Sequence, residues 1–410
     1  MSLNFCTRCL YANDHPLGIT FDENGICSGC KIHEEKNKLD WTFRWEKLQK
    51  LIKPYKSKKQ SYDCIVPITG GQDSYFIIHI VKNKLGLNPL LVNYNKYFNT
   101  ALGIRNLANL RIKFDCDILF QNVNPNSVKK IIKTSLRKLG SMYWPNLAGH
   151  TVFPVQTALS YKIPLIIWGA HQGLEQVGMF SHKHEVEMTR RYRKEHDLMG
   201  LEADDLLSVF DTLQESDVWQ YRYPGDEDLN DVGLKGIYLG NYIRWDPKAQ
   251  HELMIKKYGY RTSIFNRTFD KYDHVDCFNY MDIHDLLKLY KTGFSKVTDQ
   301  ASREIRFGRI SRNQGLSLVR RYEQEPLKYL DVFCKWLGVS KLALKFVLNQ
   351  HRNPKYWIEK EPANWNFDGW SKKNKPKSSN FNDFDKEFRV NSTLEYNKRR
   401  NYITFGRGFP

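Results

Sequence analysis

The sequence predicts an α/β protein: a parallel sheet with helices on both faces, a cysteine-rich ribbon ahead of it and a mostly helical region behind it. Three observations carry that expectation. Short apolar runs alternate with helix-period segments between residues 63 and 168, two Cys-x-x-Cys pairs fall within the first thirty residues, and one apolar run leads through adjacent glycines into a helix. At 410 residues and 48.5 kDa there is room for roughly two to three domains. Hydrophobic residues make up 41% and charged residues 26%, which excludes wholesale disorder.

Cys6-x-x-Cys9 and Cys27-x-x-Cys30, with seventeen residues between the pairs, have zinc-ribbon spacing. Each pair forms a knuckle whose thiolates point at one ion, and Gly25 and Gly29 fall where such a fold turns. Two disulfides would need a secreted context, and a redox Cys-x-x-Cys would need no second pair. Four thiolates fill a tetrahedral shell, so the zinc is expected to be structural. Cys64, Cys116, Cys277 and Cys334 are scattered and read as free buried thiols.

Residues 31–60 read as a Lys-rich amphipathic connector helix ending near Pro54. Asp63–Ile68 is an apolar run of buried-strand type, followed by Thr69-Gly-Gly-Gln-Asp-Ser74 and a helix from Tyr75 to Leu85 closed by Gly86. Strands are expected at Pro89–Tyr94, Cys116–Val123, Ile163–Trp168 and Lys235–Trp245. Helices are expected at Ala101–Arg111, Ser127–Leu139, Thr151–Tyr161 and Ala249–Tyr258. Such alternation implies parallel strands joined by helical crossovers. Residues 180–235 mix both charge signs without a clear period and read as an insertion, Asp282 to about Gly338 as mostly helical, and the last fifty residues as a surface or disordered tail. The expected organisation is 1–55 ribbon and connector, 56–280 nucleotide domain with an insertion at about 180–235, and 281–410 helical region and tail.

Lys and Arg number 63 against 45 Asp and Glu, a net charge of +18. Residues 31–60 carry ten basic against four acidic side chains, and residues 371–410 repeat that balance, so the excess is spread along the chain. A basic surface suits polyanions or serves solubility, and basicity alone does not choose between them. The longest apolar run, Ile163–Ala170, is far shorter than the ~20 residues of a membrane helix. The first residues show neither a basic n-region nor an apolar h-region. A cytoplasmic protein is expected.

The segment from Thr69 to Ser74 carries the chemistry. Gly70 and Gly71 let the backbone turn tightly and bring its N–H groups to an anion, Thr69 and Ser74 add hydroxyls, and the following helix aims its positive end at the same point. Asp73 in such a loop would repel phosphate unless a cation lay between them, which implies Mg2+. The Gly-Lys-Ser/Thr ending of a Walker A loop is missing.

Thr69-Gly-Gly-Gln-Asp-Ser74 resembles the PP-loop of the N-type ATP pyrophosphatases, which adenylate a carbonyl-type oxygen, release pyrophosphate and let a nucleophile displace AMP. The resemblance implies that Thr69, Gly70, Gly71, Gln72 and Ser74 bind ATP and that Asp73 acts through Mg2+. A narrower resemblance covers most of the chain. The two cysteine pairs, Gly103-Ile-Arg-Asn-Leu107, Gly236-Ile-Tyr-Leu-Gly-Asn-Tyr-Ile-Arg-Trp245, Tyr258-Gly259, the stretch Lys291 to Arg303, and Ile305-Arg306-Phe-Gly-Arg309 are similar to the N-acetyl sugar amidotransferases. These enzymes serve bacterial surface-sugar pathways (O-antigen, and pseudaminic- or legionaminic-type acids), converting an acetamido group to an acetamidino group. The resemblance implies a separate glutamine amidotransferase that delivers ammonia, because no cysteine here lies in a glutaminase context.

The remaining candidates are weaker alone. Asn93 ends the second strand, where superfamily analogy puts adenine and ribose. Gly169 follows the fourth apolar strand, at the carboxyl edge where ligands collect, with His171 and Glu175 just beyond. Arg303 and Arg306 share a helix face and, with Lys291, Lys296 and Arg309, could stabilise pyrophosphate or hold a sugar anion. Two other classes compete: a tRNA-modifying PP-loop enzyme of thiolation or lysidine type, favoured by the ribbon and the charge, and a non-catalytic zinc-ribbon adaptor.

Overall fold

The computed structural model describes residues 3–56, 62–209, 211–362 and 364–369. A ribbon (residues 3–27) leads into α1 (Ser28–Glu35) and α2 (Trp41–Ile52). The nucleotide-type domain runs β1 (Cys64–Ile68), α3 (Gln72–Ile78), β2 (Pro89–Tyr94), α4 (Ala101–Phe114), β3 (Ile118–Gln121), α5 (Pro125–Leu139), α6 (Trp144–Tyr161), β4 (Leu165–Trp168), β5 (Lys235–Tyr238) and α7 (Pro247–Tyr258). Behind it follow α8 (Ile283–Thr292), α9 (Lys296–Arg306), α10 (Arg312–Tyr322), α11 (Leu330–Leu337), α12 (Lys341–Asn349) and the antiparallel hairpin β6 (Trp357–Glu361) and β7 (Asn364–Phe367).

The five-stranded sheet has the order β3-β2-β1-β4-β5 and is parallel throughout. Both faces are covered. Val66, Ile68, Leu91, Ile167 and Ile237 pack with Tyr75 and Ile78 of α3 and Met254 of α7, whereas Ile65, Leu90, Val92 and Ile166 pack against Val155 and Ala158 of α6. The alternation follows from the two-residue period of a strand, so a run apolar at every position is what burial on both faces requires.

The chain leaves β1 toward β2 and β3 on one side, and β4 and β5 lie on the other, so a crevice opens at the carboxyl end of β1. Pro67 sharpens it. Lacking an N–H, it cannot donate to a ladder, and β1 meets β4 in register only at Ile65↔Ile166, against five paired positions with β2.

Several boundaries differ from expectation. The connector is two helices, because Asp40 caps a fresh start by accepting from Phe43 N at 2.9 Å; residues 57–61 lie outside the described residues. The helix expected from Thr151 starts at Trp144, with Pro145 in its first turn and Pro154 inside it. The strand expected to reach Trp245 ends at Tyr238 and becomes a tight helical turn over Leu239–Asn241. Part of the expected tail is the β6–β7 hairpin, and residues 370–410 lie outside the described residues.

The C-terminal helices share a core with the sheet domain. Ile131, Ile132 and Leu136 of α5 and Trp144 of α6 pack with Leu287 of α8, Phe333 of α11 and Leu344 of α12, and Leu206, Val218 and Tyr221 of the 180–235 segment join them. On α9 the stripe Val297, Ala301, Ile305 buries against Leu10 of the ribbon and Leu316 and Val319 of α10. No helix among the described residues is long and apolar enough to cross a membrane.

Candidate active site

The Thr69 loop closes on itself. Thr69 N donates to Ser74 Oγ at 3.0 Å and Gly71 N to Thr69 Oγ1 at 3.1 Å, so both hydroxyls shape the turn. Gly70 has φ +79°, and a Cβ there would sit 2.9 Å from Leu107 Cβ, so glycine is required by both conformation and space. Leu107 belongs to the Gly103–Leu107 block on α4. At Gly103 a Cβ would lie 2.5 Å from the Asp276 Cα, so that glycine lets the 273–277 segment approach the loop.

Gln72 and Asp73 open into a cleft of about 170 Å³. Its other walls come from Tyr11 of the ribbon, His33 of α1, Ala170, Gln172, Glu175 and Gln176, Trp245 and Pro247, Asp273, His274, Tyr280 and Met281, and the α9 residues Lys296, Asp299, Gln300, Arg303 and Arg306. Asp73 is 42% exposed there, and its Oδ1 lies 3.0 Å from Nε2 of His251, a buried residue of α7. Gln72 spans to the opposite wall, donating through Nε2 to Asp273 Oδ1 at 3.1 Å and accepting from His274 N at 3.3 Å.

Charge in this wall is mostly matched. Arg303 donates to Asp273 Oδ2 at 2.9 Å and Asp270 Oδ2 at 2.5 Å. Burial pushes the Asp273 carboxyl up, but Arg303, with His251 and His274, outweighs it and holds Asp273 below the usual carboxylate range. Burial and the neighbouring Asp273 charge raise Asp270 instead. Lys96 and Asp276, both buried, form an ion pair beside Gly71. Arg303 therefore lines the cleft with its guanidinium held by three carboxylates, those of Asp270, Asp273 and, through Nε at 3.2 Å, Glu304.

Arg306 lines the cleft too, but its fork points to the ribbon. Nη1 donates to the carbonyls of Gln176 at 2.7 Å and Glu175 at 3.1 Å, while Nη2 lies 3.9 Å from the sulfurs of both Cys9 and Cys27. The carboxylate of Glu175 meets the buried Lys36 at 2.5 Å. Asn93 donates to Ile68 O at 2.9 Å, tying the ends of β1 and β2 ahead of the loop. A Cβ on Gly169 would lie 2.8 Å from Ile77 Cδ1 and 3.1 Å from Trp245, so this glycine makes room for the protein's own side chains. His171 is fully buried among Phe180, Tyr192 and Tyr238, and burial pulls it well below its ordinary pKa. Sequence reasoning missed His251, Asp273 and Asp276, which no local motif marks.

The four ribbon cysteines form the second centre. Their sulfurs lie within 4.8 Å of one another, and all four residues are buried. Cys6 Sγ accepts from the backbone N–H groups of Arg8, Cys9 and Cys27 at 3.3–3.4 Å, the pattern of a thiolate knuckle. Four soft donors in a closed, buried pocket fit a four-coordinate zinc and leave no position for substrate. Asp73, a carboxylate open to the cleft, is the hard oxygen donor that Mg2+ takes. Cys64 and Cys116 lie outside the cluster, and burial pushes both thiols up, so neither is a ready thiolate.

Residues 266–371 match the family model of the C-terminal domain of WbpG-like LPS biosynthesis proteins. An uncharacterized protein of Methanocaldococcus jannaschii is 26% identical over 121 residues, which span 28% of this chain and 42% of that relative. Among solved structures, an NMN synthetase from Francisella tularensis aligns over 55% of this chain and 98% of its own at 13% identity and a TM-score of 0.28. An NH3-dependent NAD synthetase from Campylobacter jejuni aligns over 55% and 100% at 14% identity and 0.28. The U34-tRNA thiolase NcsA from Methanococcus maripaludis aligns over 80% and 91% at 12% identity and 0.29. α8, α9 and the β6–β7 hairpin all lie within the WbpG-like region, so that region supplies the α9 wall of the cleft.

Proposed function

We propose that this chain is an ATP-dependent PP-loop enzyme that amidates an acetamido group of a bacterial surface sugar, giving an acetamidine. The observation that carries this reading is the pairing of two walls across one cleft. A strand–Gly-Gly–helix loop exposes Asp73 on one side, and α9 of the LPS-biosynthesis-type region faces it on the other.

The chemistry has two steps. The acetamido oxygen attacks the α-phosphorus of ATP, the α–β phosphoanhydride bond breaks, and pyrophosphate leaves. Ammonia then adds to the imidate carbon, the carbon–oxygen bond breaks, and AMP departs carrying the former amide oxygen; loss of a proton from nitrogen leaves the amidine. Mg2+ at Asp73 would supply charge neutralisation for the triphosphate. The loop is held by the Thr69 and Ser74 hydroxyls, which take up the Thr69 and Gly71 N–H groups, so the departing phosphates would meet the positive N-terminal end of α3 beyond Gly71. Gln72 bridges to Asp273 and keeps the α9 wall at fixed distance.

Ammonia is taken to come from a partner glutaminase. Four of the eight cysteines form the ribbon cluster, and burial pushes up the thiols of Cys64, Cys116, Cys277 and Cys334, so none resembles an activated glutaminase nucleophile. The test is pyrophosphate release from ATP with a nucleotide-linked acetamido sugar and ammonium. Release that needs both ATP and the sugar is expected. Release driven by tRNA and indifferent to sugar would replace this reading with the tRNA-modifying one, as would copurified tRNA retained in a steeply salt-dependent way.

A further inference from the structure

A second cleft, of about 680 Å³, lies between α8, the turn after α10, and the β6–β7 hairpin. It shares no lining residue with the Thr69 cleft, and its lining falls wholly within the region that matches the WbpG-like domain. Its volume is that of an ordinary small-molecule site, typically ~300–1,000 Å³.

Two arginines end in it with unused hydrogen-bonding capacity. Arg267 is 2% exposed; Nε donates to Asp285 at 2.8 Å, Nη1 donates to the Glu325 carbonyl, and the buried Nη2 has no partner. Arg352 sits in an aromatic box, its guanidinium carbon 3.5 Å from the ring centroid of Tyr290, 4.0 Å from Trp357 and 5.5 Å from Trp365. Its Nε donates to Asn349 Oδ1 at 3.0 Å, its buried Nη1 has no partner, and no carboxylate pairs with it among the described residues. Buried donors left unpaired are costly, and a guanidinium without a counter-anion more so. Asp285 pairs with Arg267, and although Glu323 and Glu325 line the cleft together with Arg320, neither is paired with Arg352, whose guanidinium has no carboxylate partner among the described residues.

We propose that this cleft binds a sugar carrying one acidic group, with Arg352 and Arg267 holding the acid and the Tyr290, Trp357 and Trp365 rings bounding the sugar face. A planar guanidinium matches a carboxylate or phosphate with two donors, and aromatic walls give a pyranose ring an apolar surface. This second site is independent of the chemistry at Thr69.

The test titrates the full chain with glucuronic acid, N-acetylglucosamine 1-phosphate, neutral N-acetylglucosamine and inorganic phosphate, read by tryptophan fluorescence and saturation-transfer NMR. Expected is saturable binding of at least one acidic sugar, about tenfold or more tighter than either the neutral sugar or phosphate alone. The tighter of the two acidic probes then identifies carboxylate or phosphate as the recognised group. Arg352→Gln should weaken that binding about tenfold or more, while Asp73→Ala leaves it unchanged. Asn366→Trp, at an exposed position on the cleft wall, should also block it if Arg352→Gln fails to fold. Equal affinity for the neutral sugar, phosphate binding as tightly as either acidic sugar, full binding by Arg352→Gln, displacement by ATP, or no binding by any probe would each overturn the proposal.

Discussion

The cysteine ribbon and the Thr69 cleft share Arg306 and are built on opposite plans. The ribbon gathers four like donors from two short knuckles into a sealed pocket, while the cleft gathers unlike groups from segments far apart in the chain and stays open. Closure suits a centre that must hold its ion, and openness suits one that must admit substrates and release products. Arg306 links them: it is half-buried, lies beside two cysteine sulfurs, and pins the 175–176 carbonyls that form part of the cleft rim.

The sharpest way to separate the two regions is Asp73→Ala. Pyrophosphate release should fall by about a thousandfold or more with zinc content unchanged, measured by phosphate assay and metal analysis. Cys27→Ser is the converse. Structural zinc typically contributes about 10–16 kcal/mol of apparent binding energy, so metal loss should unfold the ribbon and lower Tm strongly in calorimetry. Arg306→Gln should fall between them, because it removes charged hydrogen bonds to the 175–176 carbonyls, each worth about 1.5–3 kcal/mol. Both metal affinity and the KM for ATP should worsen together; a variant that loses only one would show the regions to be uncoupled.

Such a division also marks how far the sequence was legible. The ribbon was readable because ligands three residues apart in each pair are local, and the pairs needed only a hairpin between them. The Thr69 loop was readable for the same reason, as were the sheet strands, whose burial on both faces leaves continuous apolar runs. Asp273, Asp276 and His251 were not, since a buried carboxylate or imidazole 178 to 203 positions after Asp73 carries no local signal. Arg303 and Arg306 were read as cations for pyrophosphate or a sugar anion because helix spacing gives a shared face but says nothing of Asp270, Asp273 or the cysteine sulfurs beside them. The hairpin after Pro354 was missed because an aromatic- and Asn-rich segment has little period of its own and folds by packing on α8.

Smaller effects sharpen the contrast. His251→Gln should reduce turnover by about tenfold and raise the Mg2+ requirement while leaving the fold intact, since the imidazole orients Asp73 and does not itself face the cleft. The smallest is a matter of pH. Burial pulls the Lys291 ammonium down to about 7, beside the Leu139 carbonyl. The unfolded chain keeps that proton to about 10.4, so between those values it binds one proton more than the folded chain. Stability therefore rises with pH across that window, by up to about 1.4 kcal/mol per unit. Lys291→Met should flatten the rise, seen as Tm against pH from 7 to 9.

Isotope transfer tests the proposed cleavage most directly. An acetamido sugar labelled with oxygen-18 in its amide carbonyl would be turned over with ATP and ammonium, and the phosphorus products resolved by 31P NMR. Label recovered in AMP, with unlabelled pyrophosphate and an unlabelled amidine, is the predicted result. Label appearing in inorganic phosphate beside ADP, or remaining wholly in the sugar while ATP is consumed, would contradict attack by the amide oxygen at the α-phosphorus in the Thr69 cleft.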